Sequence, residues 1–285
     1  MDSFDLKNFT GNSDFMFYIQ YGHHEHSLGL HRHEDFFELT IVLEGTAVHN
    51  VNNESYFIKK GDVFGVTGET VHGFTECHDF RICNIMFNPE VIFAPFPTLK
   101  HIAGFHSLFL LEPAAQQYKS RLRLSLTDFE EAKRLIDFII NEYHGCRPGF
   151  SSMCSAAFIC LVSFLSRCYD ESLIENDRLT TFASAVAYME TNFTEKITPE
   201  DIAAIAGLSV RHFQRQFKAT YHIAPHEYIF ILRMQKAKAL LTDTTRTITD
   251  IAIECGYQDP NLFSRQFRKH TGASPSEYRK RSKRR

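Results

Sequence analysis

Residues 248–268 read ITDIAIECGYQDPNLFSRQFR, and residues 272–279 read GASPSEYR. The stretch has a counterpart upstream. Phe213-Gln-Arg215-Gln216-Phe217 recurs as Phe263-Ser-Arg265-Gln266-Phe267, and Pro225 and Tyr228 recur as Pro275 and Tyr278, all at an offset of 50. Ile202-Ala203 and Gly207 match Ile251-Ala252 and Gly256 at an offset of 49, so the second unit carries one extra residue in its turn, around Tyr257–Pro260. Identity at this many register-locked positions means that one unit has been duplicated.

Each unit reads as helix, tight turn, helix. In the first, Pro199-Glu200-Asp201 opens a helix with proline at the permitted first turn and acids at its positive end. Ile202, Ala203 and Ala206 form its inner stripe, and Gly207 supplies the turn. Ser209 can cap the next helix, whose Phe213 and Phe217, four apart, face inward. That leaves Arg211, Gln214, Arg215 and Lys218 outside. A short helix, a glycine turn and a second helix with an Arg/Gln outer face describe a helix-turn-helix, and those side chains can contact guanine and adenine edges in the major groove. A single such face could be a solvated surface. Two in tandem point to DNA.

These residues resemble the AraC/XylS transcription-regulator motif over more than thirty positions. The resemblance implies two helix-turn-helix subdomains joined by a long helix, here about Pro225–Thr242 with Arg233, Ala237, Leu240 and Leu241. It further implies that the two reading helices enter successive major grooves of operator DNA, and it brings RNA polymerase into view as a partner. By position, the DNA-facing residues are Arg211, Gln214, Arg215 and Lys218 in the first unit and Asn261, Ser264 and Arg265 in the second. Pro260 starts the second reading helix without a backbone donor, so that helix is expected to read fewer bases. The tail Arg279–Arg285 is expected to be a loose, phosphate-attracting extension.

Charge agrees with this division of labour. Thr180–Arg285 holds 17 Lys and Arg against 10 Asp and Glu, a net +7, whereas residues 1–179 hold 14 against 24, a net −10. Only the last part is suited to a polyanion. A chain of 285 residues with 44% hydrophobic and 23% charged residues is neither disordered nor a membrane bundle. Its longest apolar run, Ala156 to Leu165, is too short to span a bilayer. No secretory pattern opens the chain, and the seven cysteines form no CxxC pair. A reduced, cytoplasmic protein is expected.

Before the duplicated region the pattern changes twice. Residues from about 15 to 90 alternate short Phe/Val/Ile/Thr runs, such as Phe36–Leu43, Thr46–Val51, Ser55–Ile58 and Phe80–Phe87, with turns at Asn52-Asn53 and Lys60-Gly61-Asp62. This is the pattern of an antiparallel barrel or sandwich. Pro89, Pro95 and Pro97 end it. From about residue 117 the periodicity is helical. Thr127-Asp-Phe-Glu130 reads as a capping box, and a second apolar helix runs from about Ser152 to Tyr169. The two helices could cover the barrel or form a homodimer interface. The expected class is α+β and multidomain: a cupin-like sensor at 1–117, a helical dimerisation segment with its linker at 118–178, and an all-α tandem helix-turn-helix domain at 179–285.

The barrel segment carries a second constellation. His31-Arg-His33 through Glu38 to Gly45 fits HxH-x4-E-x6-G, the first motif of the cupin barrel. The second motif follows from Gly61-Asp62 to His72, with Thr67 and Glu69 where Pro and Gly are usual and Glu76 at its late Asn position. In metal-binding cupins such residues converge on one ion, and imidazole with carboxylate suits Fe, Mn, Ni or Zn. A metal-dependent cupin enzyme fused to DNA-binding helices is therefore the alternative. The stretch also resembles the sensor domains of AraC-type regulators, particularly the rhamnose-operon activators, where such residues line an effector pocket without catalysis. On that resemblance His31, His33, Glu38 and His72 bind a small-molecule effector, a monosaccharide by its hydroxyls, and no cofactor, metal or catalytic residue is assigned. His23, His24 and His26 are read as exposed residues before the first strand.

Overall fold

The computed structural model describes residues 2–10, 15–52, 54–68, 70–111, 122–172 and 178–282. The chain forms two units, Met1–Ser184 and Ala185–Arg285. The strands of the first are β1 (Asp2–Phe4), β2 (Phe17–His24), β3 (Leu28–His33), β4 (Phe37–Val51), β5 (Glu54–Lys59), β6 (Asp62–Val66), β7 (His72–Phe87) and β8 (Leu122–Arg123).

Two long strands organise them. β4 runs antiparallel to β7 from Phe37 opposite Phe87 to Val51 opposite His72. The first part of β4 also pairs with β6 and its last part with β5, while β7 takes β2 beside its last part and β3 beside its first. The ribbon therefore belongs to two half-sheets and bends between them. Gly45 makes the bend: it sits at φ +72°, and a Cβ there would lie 2.3 Å from the carbonyl oxygens of His78 and Asp79. The glycine that closes the first motif is thus required by backbone approach. The bend gives the barrel-like, cupin-type arrangement, with Val42, Ala47, Val51, Tyr56, Ile58, Phe64, Phe74, Phe80 and Ile82 inside.

Short helices α1 (Lys7–Thr10), α2 (Pro89–Phe93) and α3 (Ala103–His106) lead to two long ones, α4 (Leu126–Gly145) and α5 (Phe150–Ser172). The long pair covers the outer sheet face. Phe158 of α5 meets Phe17 and Phe87 with ring centroids 5.2 and 4.8 Å apart, and Leu39, Ile41 and Ile85 share that core. Phe37–Val42 is consequently buried on both faces, which explains its unbroken burial.

Four details differ from the sequence expectation. The cap of α4 is Ser125, whose hydroxyl accepts from the Asp128 amide and is bonded to the Asp128 carboxylate, because Leu126 and Thr127 are already helical. His23 and His24 lie on β2, not before the first strand. The apolar run belongs to a longer helix: Phe150–Asp170 is long and apolar enough by length and composition to cross a membrane. Its apolarity is that of a packed helix, since Cys154, Phe158, Leu161, Val162, Leu165 and Tyr169 form a buried stripe within the core shared with the sheet. Finally, Arg279 is no loose tail. It lies in the last helix and donates to the Arg246 carbonyl at 2.7 Å. Residues 283–285 of that tail lie outside the described residues, as do 173–177 of the linker, Asn53 and Glu69.

The second unit is helical. α6 (Arg178–Asn192), within which the division falls, leads into α7 (Pro199–Ile205), α8 (Val210–Tyr221), α9 (Pro225–Asp243), α10 (Ile248–Glu254), α11 (Pro260–Thr271) and α12 (Pro275–Ser282). The duplicated unit is α7–α8 and again α10–α11, with α9 as the long connecting helix.

Candidate functional site

In the first unit of the duplication Thr198 caps α7 in a reciprocal box with Asp201, and Ser209 caps α8. In the second, Thr247 caps α10 and Asp259 caps α11 by accepting from the Asn261 amide at 2.8 Å. The intervening turns span 206–209 and 255–259, which places the extra residue where the offsets require it. Gly256 in the longer turn sits at φ +83°, and a Cβ there would meet the Thr194 carbonyl oxygen at 2.3 Å. Phe213 with Phe217, and Phe263 with Phe267, are buried. The opposite faces present Arg211, Gln214, Arg215 and Lys218, and Asn261 and Arg265, all exposed, with Ser264 half-buried. Gln216 and Gln266 take no part in that face: both are half-buried, and Gln266 accepts from the Tyr257 hydroxyl at 2.8 Å.

Arg233 of α9 fixes this assembly. It donates to the carbonyls of Phe193 and Glu195 at 2.7 and 3.1 Å and lies 5.5 Å from the Tyr257 ring centroid. One guanidinium thus joins the segment after α6 to the turn of the second helix-turn-helix.

The barrel brings His31, His33, Glu38 and His72 together, with their ligand atoms within 4.8 Å of one another. They are 6%, 2%, 2% and 0% exposed. His31 and His33 alternate with exposed Arg32 on β3, and His31 lies opposite His72 in the β3–β7 ladder. His33 Nε2 is 3.3 Å from both His72 Nε2 and Glu38 Oε2. Burial pushes the Glu38 carboxyl up to about 7 and the His33 imidazole down to about 3, and it holds His72 well below the usual imidazole range. The close His33–Glu38 contact is therefore no ion pair between full charges, because the dry site favours neutral imidazole. Phe36 stacks on His33 at 4.4 Å, and Phe4 meets His31 edge-on at 5.3 Å. Glu76 is exposed and stays out of the cluster.

Known proteins resemble both halves. The AraC-like ligand binding domain family matches residues 16–135 and a helix-turn-helix domain family matches residues 202–281. The HTH-type transcriptional activator RhaS of Escherichia fergusonii is 29% identical over 249 residues, 87% of this chain and 86% of its own. The HTH-type transcriptional activator RhaR of Salmonella dublin is 27% identical over 251 residues, with the same coverage of 87% and 86%. A transcriptional regulator of Chromobacterium violaceum with an AraC-type DNA-binding domain is 33% identical over 36% of this chain and 91% of its own, with a TM-score of 0.34. The chain belongs to the AraC family of transcription regulators.

Three polar residues of this AraC-family barrel escape the sequence motifs. His49 of β4 places Nε2 3.2 Å from His72 Nδ1 and stacks on Phe64 at 4.5 Å. The Thr40 hydroxyl lies 3.0 Å from Glu38 Oε1 and 3.1 Å from the Asn84 side-chain amide. The single hydroxyl proton is thus shared between two acceptors, Glu38 Oε1 and Asn84 Oδ1, and serves one at a time. The signal for His49 is its place between Ala47 and Val51 in the inward alternation of β4. Buried polar atoms of this kind need partners. Chemically, the set can accept from hydroxyl groups or ligate a cation, and its three imidazoles and one carboxylate suit a divalent transition metal.

Proposed function

We propose that this AraC-family chain regulates transcription of a carbohydrate-utilisation operon as a cytoplasmic homodimer that binds operator DNA under the control of a small hydroxylated effector. The observation that carries the reading is the pair of exposed Arg/Gln and Asn/Arg faces on α8 and α11, each on a capped helix held by a buried Phe pair. Arg211, Gln214, Arg215, Lys218, Asn261, Ser264 and Arg265 meet the DNA. The effector, a monosaccharide of the deoxyhexose or pentose kind, engages the barrel through His31, His33, Glu38 and His72. The similarity to activators named RhaS and RhaR supports the carbohydrate setting. Those relatives are regulators, and they lend no support to a barrel enzyme.

Selection from random duplexes, followed by footprinting, tests the DNA reading: one preferred site spanning two successive major grooves is expected, and uniform protection of all duplexes would overturn it. Calorimetry with common monosaccharides tests the effector. Glu38→Ala should lose the sugar heat and the sugar-dependent change in DNA occupancy while leaving unliganded DNA binding intact. Coupling must be reciprocal, with operator changing sugar affinity by the factor by which sugar changes operator affinity.

A further inference from the structure

We propose that the crevice between the outer sheet face and α4 binds a free α-amino acid with an apolar or aromatic side chain, held by Lys60 at its carboxylate and by Glu130 at its ammonium. The crevice has a volume of about 630 Å³, within the range of small-molecule sites. It is formed by β2, β4, β7, the turn before β6 and the first turns of α4, and none of His31, His33, Glu38 and His72 lines it. Its occupant is therefore separate from the barrel effector.

The wall is apolar and fixed. Phe129 of α4 is buried, and Leu43 packs on the core that this helix shares with the sheet. The Tyr21 ring is exposed but not loose, because its hydroxyl donates to Asp137, which also accepts from Lys133 at 2.7 Å. A ligand side chain laid against these three groups removes apolar surface from water.

Most charges at the rim are already matched. Arg81 meets Glu44 at 3.5 Å, Lys133 is held by Asp137, and His23 lies 3.7 Å from Asp79. Two are not. Among the described residues Lys60 has no carboxylate and Glu130 no cation within ion-pair distance. Lys60 Nζ stands 4.6 Å from the Phe129 ring centroid, and Glu130 is the next residue on α4. One unmatched ammonium and one unmatched carboxylate thus flank the same ring. A zwitterion answers both. A simple anion answers Lys60 but meets Glu130 and Glu44 as like charges, and a simple cation answers Glu130 but meets Lys60.

Both charged groups are carried on fixed backbone. Gly61, beside Lys60, donates to the Val42 carbonyl and accepts from the Leu124 amide, each at 2.9 Å. Glu130 follows closely on the Ser125 cap of α4. Groups placed in advance lose little freedom when a ligand arrives.

Calorimetry and saturation-transfer NMR on the full-length protein would compare L-phenylalanine with phenylpropanoate, which lacks the ammonium, and phenylethylamine, which lacks the carboxylate. L-phenylalanine is expected to bind one per chain with a Kd on the order of 0.1–1 mM. Each analogue should bind about fivefold or more weakly. Lys60→Met should weaken L-phenylalanine by the same factor and leave phenylethylamine unchanged, whereas Glu130→Gln should weaken L-phenylalanine and leave phenylpropanoate unchanged. Lys7→Met, at an exposed lysine on α1, should alter neither. Lys60 and Glu130 are both exposed, and the Tm of each variant checks its fold; were either to unfold, the analogue series on the wild type decides alone. No binding of L-phenylalanine up to about 10 mM, an analogue that binds as tightly as the amino acid, unchanged affinity in both variants, or loss in Lys7→Met would overturn the inference. Each of those results leaves the operator-binding reading standing.

Discussion

Arg215 and Arg265 occupy the same place on the two reading helices, each exposed and flanked by a buried phenylalanine pair. Replacing either with Ala should cost about 1–3 kcal/mol at one base position and relax specificity there, measured against single-base operator variants. Equal weakening on operator and random DNA would move the reading face elsewhere. Gly45→Ala should destabilise the first unit by about 2 kcal/mol or more, because the new Cβ adds a carbonyl clash to a left-handed backbone; denaturant titration measures it. His106 gives a pH effect of known sign. Buried, with Nε2 bonded to the Lys100 carbonyl, it has its imidazole pushed down to about 4. The unfolded chain takes the proton first, so its contribution is complete above about 6.5 and is lost as pH falls toward about 4. Urea midpoints at pH 7 and 5 should differ less in His106→Gln than in wild type. The barrel motif disclosed His31, His33, Glu38 and His72 because their spacing is a pattern along one chain. His49, Thr40 and Asn84 stayed hidden because each matters through a partner on another strand, and a lone polar residue in an apolar strand looks merely tolerated.

Among the elements, caps separate what a sequence can and cannot place. Ser209 was legible because the duplicated pattern left it one role. The start of α4 was not, since Ser125-Leu-Thr-Asp128 and Thr127-Asp-Phe-Glu130 are both capping boxes by composition. The structure chooses the earlier one, where Phe129, Ala132, Ile136 and Ile139 then face the sheet. Ser125→Ala should therefore cost about 1 kcal/mol in thermal unfolding, and Thr127→Ala well under half of that. Equal losses would place the cap at neither residue. β2 was missed for a related reason: Tyr21 to His24 alternates partly buried Gly22 and His24 with exposed neighbours, and two histidines conceal a strand that β7 defines by pairing from Phe17 to His24.

For the whole molecule, α4 and α5 cover the sheet, yet α4 leaves Phe138 and α5 leaves Met153 exposed, at 42% and 47%. Both roles considered for the pair are thus physically compatible. The expected dimer uses this outer face. Sedimentation should find two chains per particle at tens of micromolar (on the order of weak self-association), and Phe138→Glu should shift the particle to one chain without lowering Tm. A single-chain particle in the wild type would exclude the arrangement. The two-unit division itself was legible because charge, periodicity and duplication all change along the chain, whereas the covering role of the helices depends on contacts between segments far apart in sequence.

The Arg233 bridge bears on how such a reader can be altered. Because one side chain of α9 holds both the segment after α6 and the ring of Tyr257, the duplicated halves are no longer two interchangeable copies. A graft confined to the exposed faces of α8 or α11 keeps every internal tie and can exchange one groove's sequence for another. A graft that swaps a whole half severs that tie and leaves the Phe193 and Glu195 carbonyls and the Tyr257 ring without the guanidinium between them.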